Sequence, residues 1–241
     1  MENTIYIGLS RLSALQQHMS LVANNIANIN TPGYKANKIL FSEYIDKPKG
    51  MNESMSMVLD YGNYRVKDNG PIKRTGNQLD VALEGQGFLG VQAQDGTVMY
   101  TRNGSFSLNA SRQLVTQQGF PVVDEGGQPI SIPEGQNEIA IDEKGSLSAN
   151  NSTIGTLMVK EFNNIDTLEP VGNSLYKTTE AGNPSTKTRV IQGAIEGSNT
   201  QGVVEMTDMI DVSRTYQSVA RMLQNEHDRI RSTIRTLTEK S

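Results

Sequence analysis

Apolar residues recur every seven positions at both ends of this 241-residue chain and hardly anywhere between them. Near the N-terminus Ile5, Leu12, Met19 and Ile26 form one series. Leu15, Val22 and Ile29 form a second, offset by three, whose first member is Gly8. Toward the C-terminus Met209, Tyr216, Leu223, Ile230 and Leu237 repeat the spacing, with Val212 and Val219 in the offset row. Apolar a and d positions repeated in this way specify helices that pack in coiled-coil fashion. Two such helices, one at each end of a β-prone middle, suit a device for joining chains. The candidate assembly interface is Ile5, Leu12, Leu15, Met19, Val22 and Ile26 with Met209, Val212, Tyr216, Val219, Leu223 and Ile230. The alternative is that the two helices pair with each other inside one chain. So few apolar side chains barely offset the entropy of ordering two long helices. The expectation is therefore that Leu12, Met19, Val22, Leu223 and Ile230 become buried only on assembly, and that both ends fray in a free subunit.

The N-terminal pattern predicts a helix over residues 3–30, ended by Asn28, Asn30, Thr31, Pro32 and Gly33, because proline disfavours the α conformation before it and glycine accepts positive φ. Residues 35–75 read as an extended linker punctuated by Pro48, Gly50, Gly62, Gly70 and Pro71, with a mobile loop at Met51–Met57. From residue 76 to 200 short β-prone runs alternate with turn signals. The runs are Leu79–Leu83, Phe88–Gln92, Val98–Thr101, Ser105–Leu108, Leu114–Thr116, Pro121–Val123, Ile130–Ile132, Glu138–Ile141 and Thr156–Phe162. Asp95-Gly96, Asn103-Gly104, Gly126-Gly127 and Lys144-Gly145 separate many of them, and Asn103-Gly104 is the strongest hairpin signal. Seventeen of the 22 glycines lie between Gly76 and Gly202 and none follows, which marks where the β region yields to a helix from Val203 to Thr238. Asn199 or Thr200 can cap that helix, and Glu205, Asp208 and Asp211 suit its start as Arg229, Arg231, Arg235 and Lys240 suit its end. The organisation expected is a terminal helix in 1–34, a linker in 35–75, an antiparallel β domain in 76–200 and a second terminal helix in 201–241.

Several functions are disfavoured. A formal net charge of −4 gives no electrostatic reason to bind nucleic acid. The absence of cysteine removes disulfides and thiolate metal sites. No run approaches the ~20 apolar residues of a membrane span, and Met1-Glu2-Asn3-Thr4 lacks the basic and apolar regions of a cleaved secretory signal. Gly85-Gln-Gly-Phe-Leu-Gly90 has the letters of a dinucleotide fingerprint, but strand-like Val91-Gln-Ala-Gln follows where the motif needs a helix N-terminus. The two histidines, His18 and His227, sit one on each terminal helix without further ligands nearby in sequence. No G-x-S-x-G elbow and no carboxylate pair stands out. No catalytic residue, metal ligand or cofactor is expected.

Three stretches resemble the rod and hook family of bacterial flagellar axial proteins. Leu21-Val-Ala-Asn-Asn-Ile-Ala-Asn-Ile-Asn-Thr-Pro-Gly-Tyr-Lys35 is similar to the family's N-terminal rod motif. Leu79–Phe88, Tyr100-Thr-Arg-Asn-Gly-Ser-Phe106 and Leu114–Phe120 resemble its central β domain. Gly193-Ala-Ile-Glu-Gly-Ser-Asn199 leading into Val204–Tyr216 resembles its C-terminal signature, although Thr207 and Asp208 are more polar than that signature suggests. The chain is too short for a hook protein, and Ile5–Arg11 with Phe41-Ser-Glu-Tyr44 resemble one rod type more than the distal-rod type. The resemblance implies a mainly β central domain flanked by long helices that pack as a coiled-coil-like tube on assembly. It also implies export, uncleaved, by the flagellar type III apparatus, and a place in the periplasmic rod. The partners implied are copies of itself and neighbouring rod proteins, in a shaft that carries torque to the hook. Two other classes remain as alternatives: a peptidoglycan-directed enzyme, which a carboxylate pair in a β-domain pocket would favour, and an adhesin-like module on a coiled-coil stalk, against which the 5% aromatic content speaks.

Overall fold

The computed structural model describes residues 2–46, 55–135, 138–150 and 152–238; Met51–Ser54 of the expected loop and Lys240 lie outside them. Two helices flank a β-rich central region. Helix α1 spans Glu2–Ala27 and α2 spans Gly202–Thr238. α1 ends three residues before the expected position because Asn28–Thr31 closes a turn, with the Thr31 N–H donating to Asn28 O at 3.1 Å and its hydroxyl to Asn28 Oδ1 at 3.1 Å. Neither expected cap holds α2. The Asn199 side chain is engaged elsewhere, and the buried Thr200 hydroxyl has no partner among the described residues.

The chain divides into two compact units. The first contains α1, residues 37–64 and α2. Residues 37–64 are no irregular linker: β1 (Asn37–Asp46) and β2 (Met55–Arg65) pair as a two-stranded sheet, so Met55, Ser56 and Met57 are strand rather than loop. Each run is rich in residues that suit a pleated surface, Ile39, Phe41, Tyr44 and Ile45 in the first and Val58, Tyr61 and Tyr64 in the second; the glycine and proline punctuation obscures two long strands.

The second unit, residues 28–36 and 65–200, is antiparallel throughout its described pairings. In chain order it runs β3 (Ile72–Arg74), β4 (Val81–Glu84), β5 (Gly87–Gln92), β6 (Val98–Thr101), β7 (Phe106–Leu108), β8 (Leu114–Thr116) and β9 (Ile139–Ile141). It continues with β10 (Ser146–Ala149), β11 (Ser152–Thr156), β12 (Val159–Glu161), β13 (Glu169–Gly172), β14 (Leu175–Lys177), β15 (Asn183–Pro184), β16 (Arg189–Gln192) and β17 (Ala194–Glu196). A six-stranded sheet has the order β13-β14-β6-β5-β12-β15, a three-stranded sheet the order β11-β10-β9, and β16-β4, β17-β3 and β7-β8 form pairs. The main core gathers Val81, Leu83, Leu89, Val91, Leu114, Leu147 and Leu157. A smaller aromatic cluster sets Phe88 edge-on to Phe162 and Tyr176, each with ring centroids 5.8 Å apart.

Turn signals succeed where both flanking runs are free to pair. Asp95-Gly96 joins β5 to β6, with Gly96 at φ +83° and the Ala93 N–H donating to Thr97 O at 2.8 Å. Lys144-Gly145 joins β9 to β10 with Gly145 at φ +83°. Asn103-Gly104 makes no hairpin. β6 already pairs with β5 and β14, so the chain leaves that sheet and β7 pairs with β8 instead. Gly104 serves close approach: its carbonyl accepts the Val81 N–H at 2.9 Å, and a Cβ on it would lie 1.8 Å from Val81 O. Pro121–Val123 and Ile130–Ile132 form isolated bridges rather than strands. Gly85–Gly90 lies at the β4–β5 turn and continues as strand, with no helix after it.

Candidate functional site

Within the first unit α1 and α2 run antiparallel and touch along their length. Gly8 faces Leu223, His18 Nε2 stands 3.1 Å from Asp208 Oδ2, and the Asn25 carboxamide reaches Glu205 Oε2 at 3.1 Å. Gly8 opens the offset heptad row because α2 comes so close: a Cβ there would stand 2.5 Å from Leu223 Cδ2. This pairing corrects the expectation that the heptad stripes stay uncovered in a free chain. Val22, Val212 and Val219 are already buried, and Ile5, Leu12, Leu15, Met19, Ile26, Met209, Tyr216, Leu223 and Ile230 are half-buried. The antiparallel helices cover those stripes themselves. The apolar residues that stay exposed are others: Tyr6 and Leu9 on α1, and Val203, Val204, Met206, Ile210, Met222, Ile234 and Leu237 on α2.

Asn25 went unnoticed in the sequence because the helical pattern gives no reason to bury an amide. It is 1% exposed. Its amide donates to Asn37 O at 2.9 Å and to Glu205, while its carbonyl accepts the Asn37 N–H at 3.1 Å. One side chain thus ties α1 to β1 and α2, and satisfies a strand end that would otherwise cost free energy. The density of asparagines at 24, 25, 28 and 30 was the available signal.

The second unit holds a buried charge cluster that the sequence named only as fragments of motifs. Lys35, Arg102 and Glu196 are each nearly or fully inaccessible. Lys35 Nζ donates to Glu196 Oε1 at 2.9 Å, Asp68 O at 2.8 Å and Asn69 Oδ1 at 3.1 Å. The Arg102 guanidinium donates to Gly87 O, to Gly85 O at 2.9 Å and to Asn69 Oδ1 at 2.7 Å, and one nitrogen lies 2.9 Å from Glu196 Oε2. That ion pair lacks hydrogen-bond alignment, so Glu196 Oε2 has no hydrogen-bond partner among the described residues, and neither has Arg102 Nε. Glu196 also accepts the Gly70 N–H at 3.0 Å. Burial and the Arg102 charge hold the Lys35 ammonium below its ordinary pKa, against the opposing pull of Glu196. Gly33, at φ +69°, lets the backbone pass Arg102, whose carbonyl carbon would stand 2.4 Å from a Cβ there.

Beside this cluster the strands of chain that lead out of the unit are bound to one another. Ala36 N–H donates to Asn199 Oδ1 at 2.7 Å, and its carbonyl accepts the Val66 N–H at 2.9 Å. The Asn199 amide donates to Asp68 O at 2.9 Å, and its backbone N–H to Tyr34 O at 3.2 Å. Arg65 locks the second crossing, donating to Ile165 O at 2.6 Å and Leu168 O at 3.1 Å, with its guanidinium 4.8 Å from the centre of the Tyr176 ring.

An open cleft of about 770 Å³ on the β unit is lined by Glu125, Asp142, Glu143, Lys144, Lys187 and Arg189 among others. Its acids are not arranged as a catalytic pair. Asp142 accepts the N–H groups of Lys144 and Ser146 to build the β9–β10 turn, and three basic side chains share the lining. Nearby, burial raises the Glu161 pKa, but hydrogen bonds from the Ser185 and Thr188 hydroxyls and the Lys187 and Thr188 N–H groups outweigh it and hold the carboxyl low. Among the described residues no group of three or more His, Asp or Glu side chains could hold a metal ion.

The cluster draws one residue from each of three segments that match known families. Residues 5–35, ending on Lys35, match the flagella basal body rod protein family; residues 82–149, with Arg102, match the flagellar hook protein FlgE/F/G D1 domain; residues 191–236, with Glu196, match the flagellar basal body rod FlgEFG protein C-terminal family. Over 98% of its length, and 98% of the relative's, the chain is 36% identical to the flagellar basal-body rod protein FlgF of Caulobacter vibrioides. The chain belongs to the flagellar basal-body rod protein family. Across full length it is 30% identical to FlgF of Mesorhizobium japonicum, and over 89% of this chain and 92% of the relative it is 32% identical to the rod protein FlgG of Buchnera aphidicola. The FlgF relatives agree with the rod type that Ile5–Arg11 and Phe41–Tyr44 resemble. As a rod protein the chain is a structural component of the basal body, and the buried cluster is where its three family segments meet.

Proposed function

We propose that this chain is a rod subunit that polymerises through the outer faces of α1 and α2 and so forms part of the drive shaft from motor to hook. The observation that carries this reading is the exposed apolar set on an already paired pair of helices. Val203 is 82% exposed and Leu237 65%, and apolar surface gathered at helical spacing on one element marks an interaction face. Contacts between unlike faces of identical subunits that do not close build a filament rather than a ring. Within the β unit the Lys35–Glu196–Arg102 cluster ties together residues of the three family segments. No catalytic role is proposed.

The reading includes export by the flagellar type III apparatus and assembly in the periplasm, which family membership supports; no helix among the described residues is long and apolar enough to cross a membrane. The partners proposed are copies of this chain and neighbouring rod proteins.

The test is Ile210→Asp in the full chain. Ile210 is exposed, so the substitution leaves the intrachain pair intact while placing a charge where a neighbour would bury it, at a cost of several kcal/mol. Motility and sedimentation of assembled material should fall while helical and aromatic circular dichroism persist. Leu223→Asp, attractive from the heptads, strikes Gly8 within the chain and tests folding instead. Normal swimming with Ile210→Asp would refute the proposed face.

A further inference from the structure

A small cavity in the second unit is lined by cations and an amide, with no carboxylate among them. It measures about 10 Å³, room for a single water-sized particle. Lys35, Lys67, Gln86, Phe88, Arg102 and Ile165 line it, and all six belong to that unit. Arg102 is 1% exposed, and its buried Nε–H has no hydrogen-bond partner among the described residues. Lys67 and Gln86 are exposed, and no hydrogen bond or ion pair engages either side chain among the described residues. Phe88 and Ile165 are buried and supply apolar walls.

The charge beside the cavity is out of balance. Lys35 and Arg102 are buried around one carboxylate, that of Glu196. The three ammonium hydrogens of Lys35 are taken by Glu196 Oε1, Asp68 O and Asn69 Oδ1, so Lys35 contributes charge but no free N–H. Both terminal nitrogens of Arg102 donate, to Gly87 O, Gly85 O and Asn69 Oδ1, which leaves Nε. A buried charged donor without an acceptor is costly. A water would accept from Nε but also brings two hydrogens, and among the lining side chains only the Gln86 carbonyl can take one. An anion accepts from Arg102, Lys67 and Gln86 together and offsets the surplus charge.

We propose that this cavity binds one monatomic anion of the halide class, held by Arg102 Nε, Lys67 and Gln86 against Phe88 and Ile165. A volume of one particle leaves no room for phosphate, sulfate or a carboxylate group. Exposed Lys67 and Gln86 give the ion a route from solvent, so it exchanges. A ligand that binds the folded chain stabilises it by mass action. The stability of the β unit therefore depends on halide concentration beyond any effect of ionic strength. The site stands whether or not the terminal helices polymerise.

The test titrates the full-length protein with sodium chloride at fixed ionic strength, with sodium gluconate, too large for the cavity, making up the balance. Bound chloride should broaden the chlorine NMR line, and bromide should reverse the broadening by displacing it. The melting temperature should rise with chloride, by about 5–10 °C at a hundredfold excess over the dissociation constant. Lys67→Ala should weaken chloride binding about threefold to fivefold, and Gln86→Leu about threefold to tenfold. Lys187→Ala, which removes an exposed lysine from the larger cleft, should leave it unchanged. Crystals grown in bromide should show an anomalous peak within hydrogen-bond reach of Arg102 Nε. A melting temperature that follows ionic strength alone, or broadening indifferent to Lys67→Ala and Gln86→Leu, would overturn the proposal. So would a water in place of bromide at Arg102 Nε.

Discussion

Replacing Glu196 with Gln would leave two buried cations facing an amide. In the folded protein Glu196 answers Lys35 at 2.9 Å and Arg102 at 2.9 Å, with both partners nearly inaccessible. The glutamine keeps an acceptor for Lys35 and Gly70 but presents its own N–H group to one cation and removes the carboxylate paired with both. Removing one member of a buried ion pair costs about 3–5 kcal/mol, because the surviving charge stays desolvated. At roughly 2–4 °C per kcal/mol for a unit of this size, the melting temperature should fall by about 6–20 °C. The loss also has a pH signature. Burial and Arg102 already hold Lys35 below its ordinary value of 10.5, and Glu196 opposes them; without Glu196 the folded pKa drops further. Between that folded value and 10.5 the unfolded chain binds more protons, so this group makes stability rise with pH. Urea unfolding at neutral pH and at about pH 9 should therefore show the deficit of Glu196→Gln shrinking as Lys35 sheds its proton. Adding Lys35→Met should recover at least about 1 kcal/mol, since one uncompensated charge disappears with it. Arg102 would keep the carbonyls of Gly85 and Gly87 and the Asn69 side chain. A deficit below about 1 kcal/mol, a deficit that grows with pH, or no recovery in the double variant would refute the reasoning.

Gly104→Ala should destabilise the β unit by about 1–3 kcal/mol or more, because its Cβ would strike the Val81 carbonyl, whereas Gly96→Ala, with open space around it, should cost only the ~1–2 kcal/mol of its positive φ; thermal melts of the two variants separate sterics from strain. Asn199→Ala should strand the buried Ala36 N–H and cost about 1–3 kcal/mol, with the Ala36 amide the first to lose protection in hydrogen exchange. In a verified monomer, amides around Val22, Val212 and Val219 should exchange slowly while those beyond about residue 230 exchange fast. Rapid exchange along the whole of α2 would show that the intrachain pair does not hold.

Much of the architecture was readable because local signals and tertiary structure agree. Both long helices follow from seven-residue spacing, and β5, β6, β8 and β9 fall within β-prone runs bounded by turns. The hairpin of β1 and β2 was missed because Pro48, Gly50 and Gly62 suggested irregular chain, although Gly62 lies inside a strand. Asn103-Gly104 misled because a turn dipeptide reports only local preference; that β6 already had neighbours on both edges is a fact of sheet order, invisible in a window of ten residues. The buried cluster was visible as letters and opaque as chemistry. Lys35, Arg102 and Glu196 come from segments 67 and 94 positions apart, and a charged residue in a motif looks solvated until the fold closes over it.

The heptads raise a subtler point about what periodicity specifies. A seven-residue stripe states that a helix will be covered on one face; it does not name the covering partner. Here Gly8 decides, since the missing side chain in the offset row admits Leu223 and lets α2 lie against α1 in the same chain. His18 with Asp208, and Asn25 with Glu205 and Asn37, fix the antiparallel register with polar contacts that an apolar seam alone would leave free to slide. Once that face is covered, the residues left for a neighbour are those the stripe analysis passed over, such as Val203, Met206 and Ile210. Under the proposed polymerisation, a subunit built this way presents its docking face on a helix pair that is already packed. Less ordering entropy then opposes each addition to the rod than if both helices had to fold at the growing end.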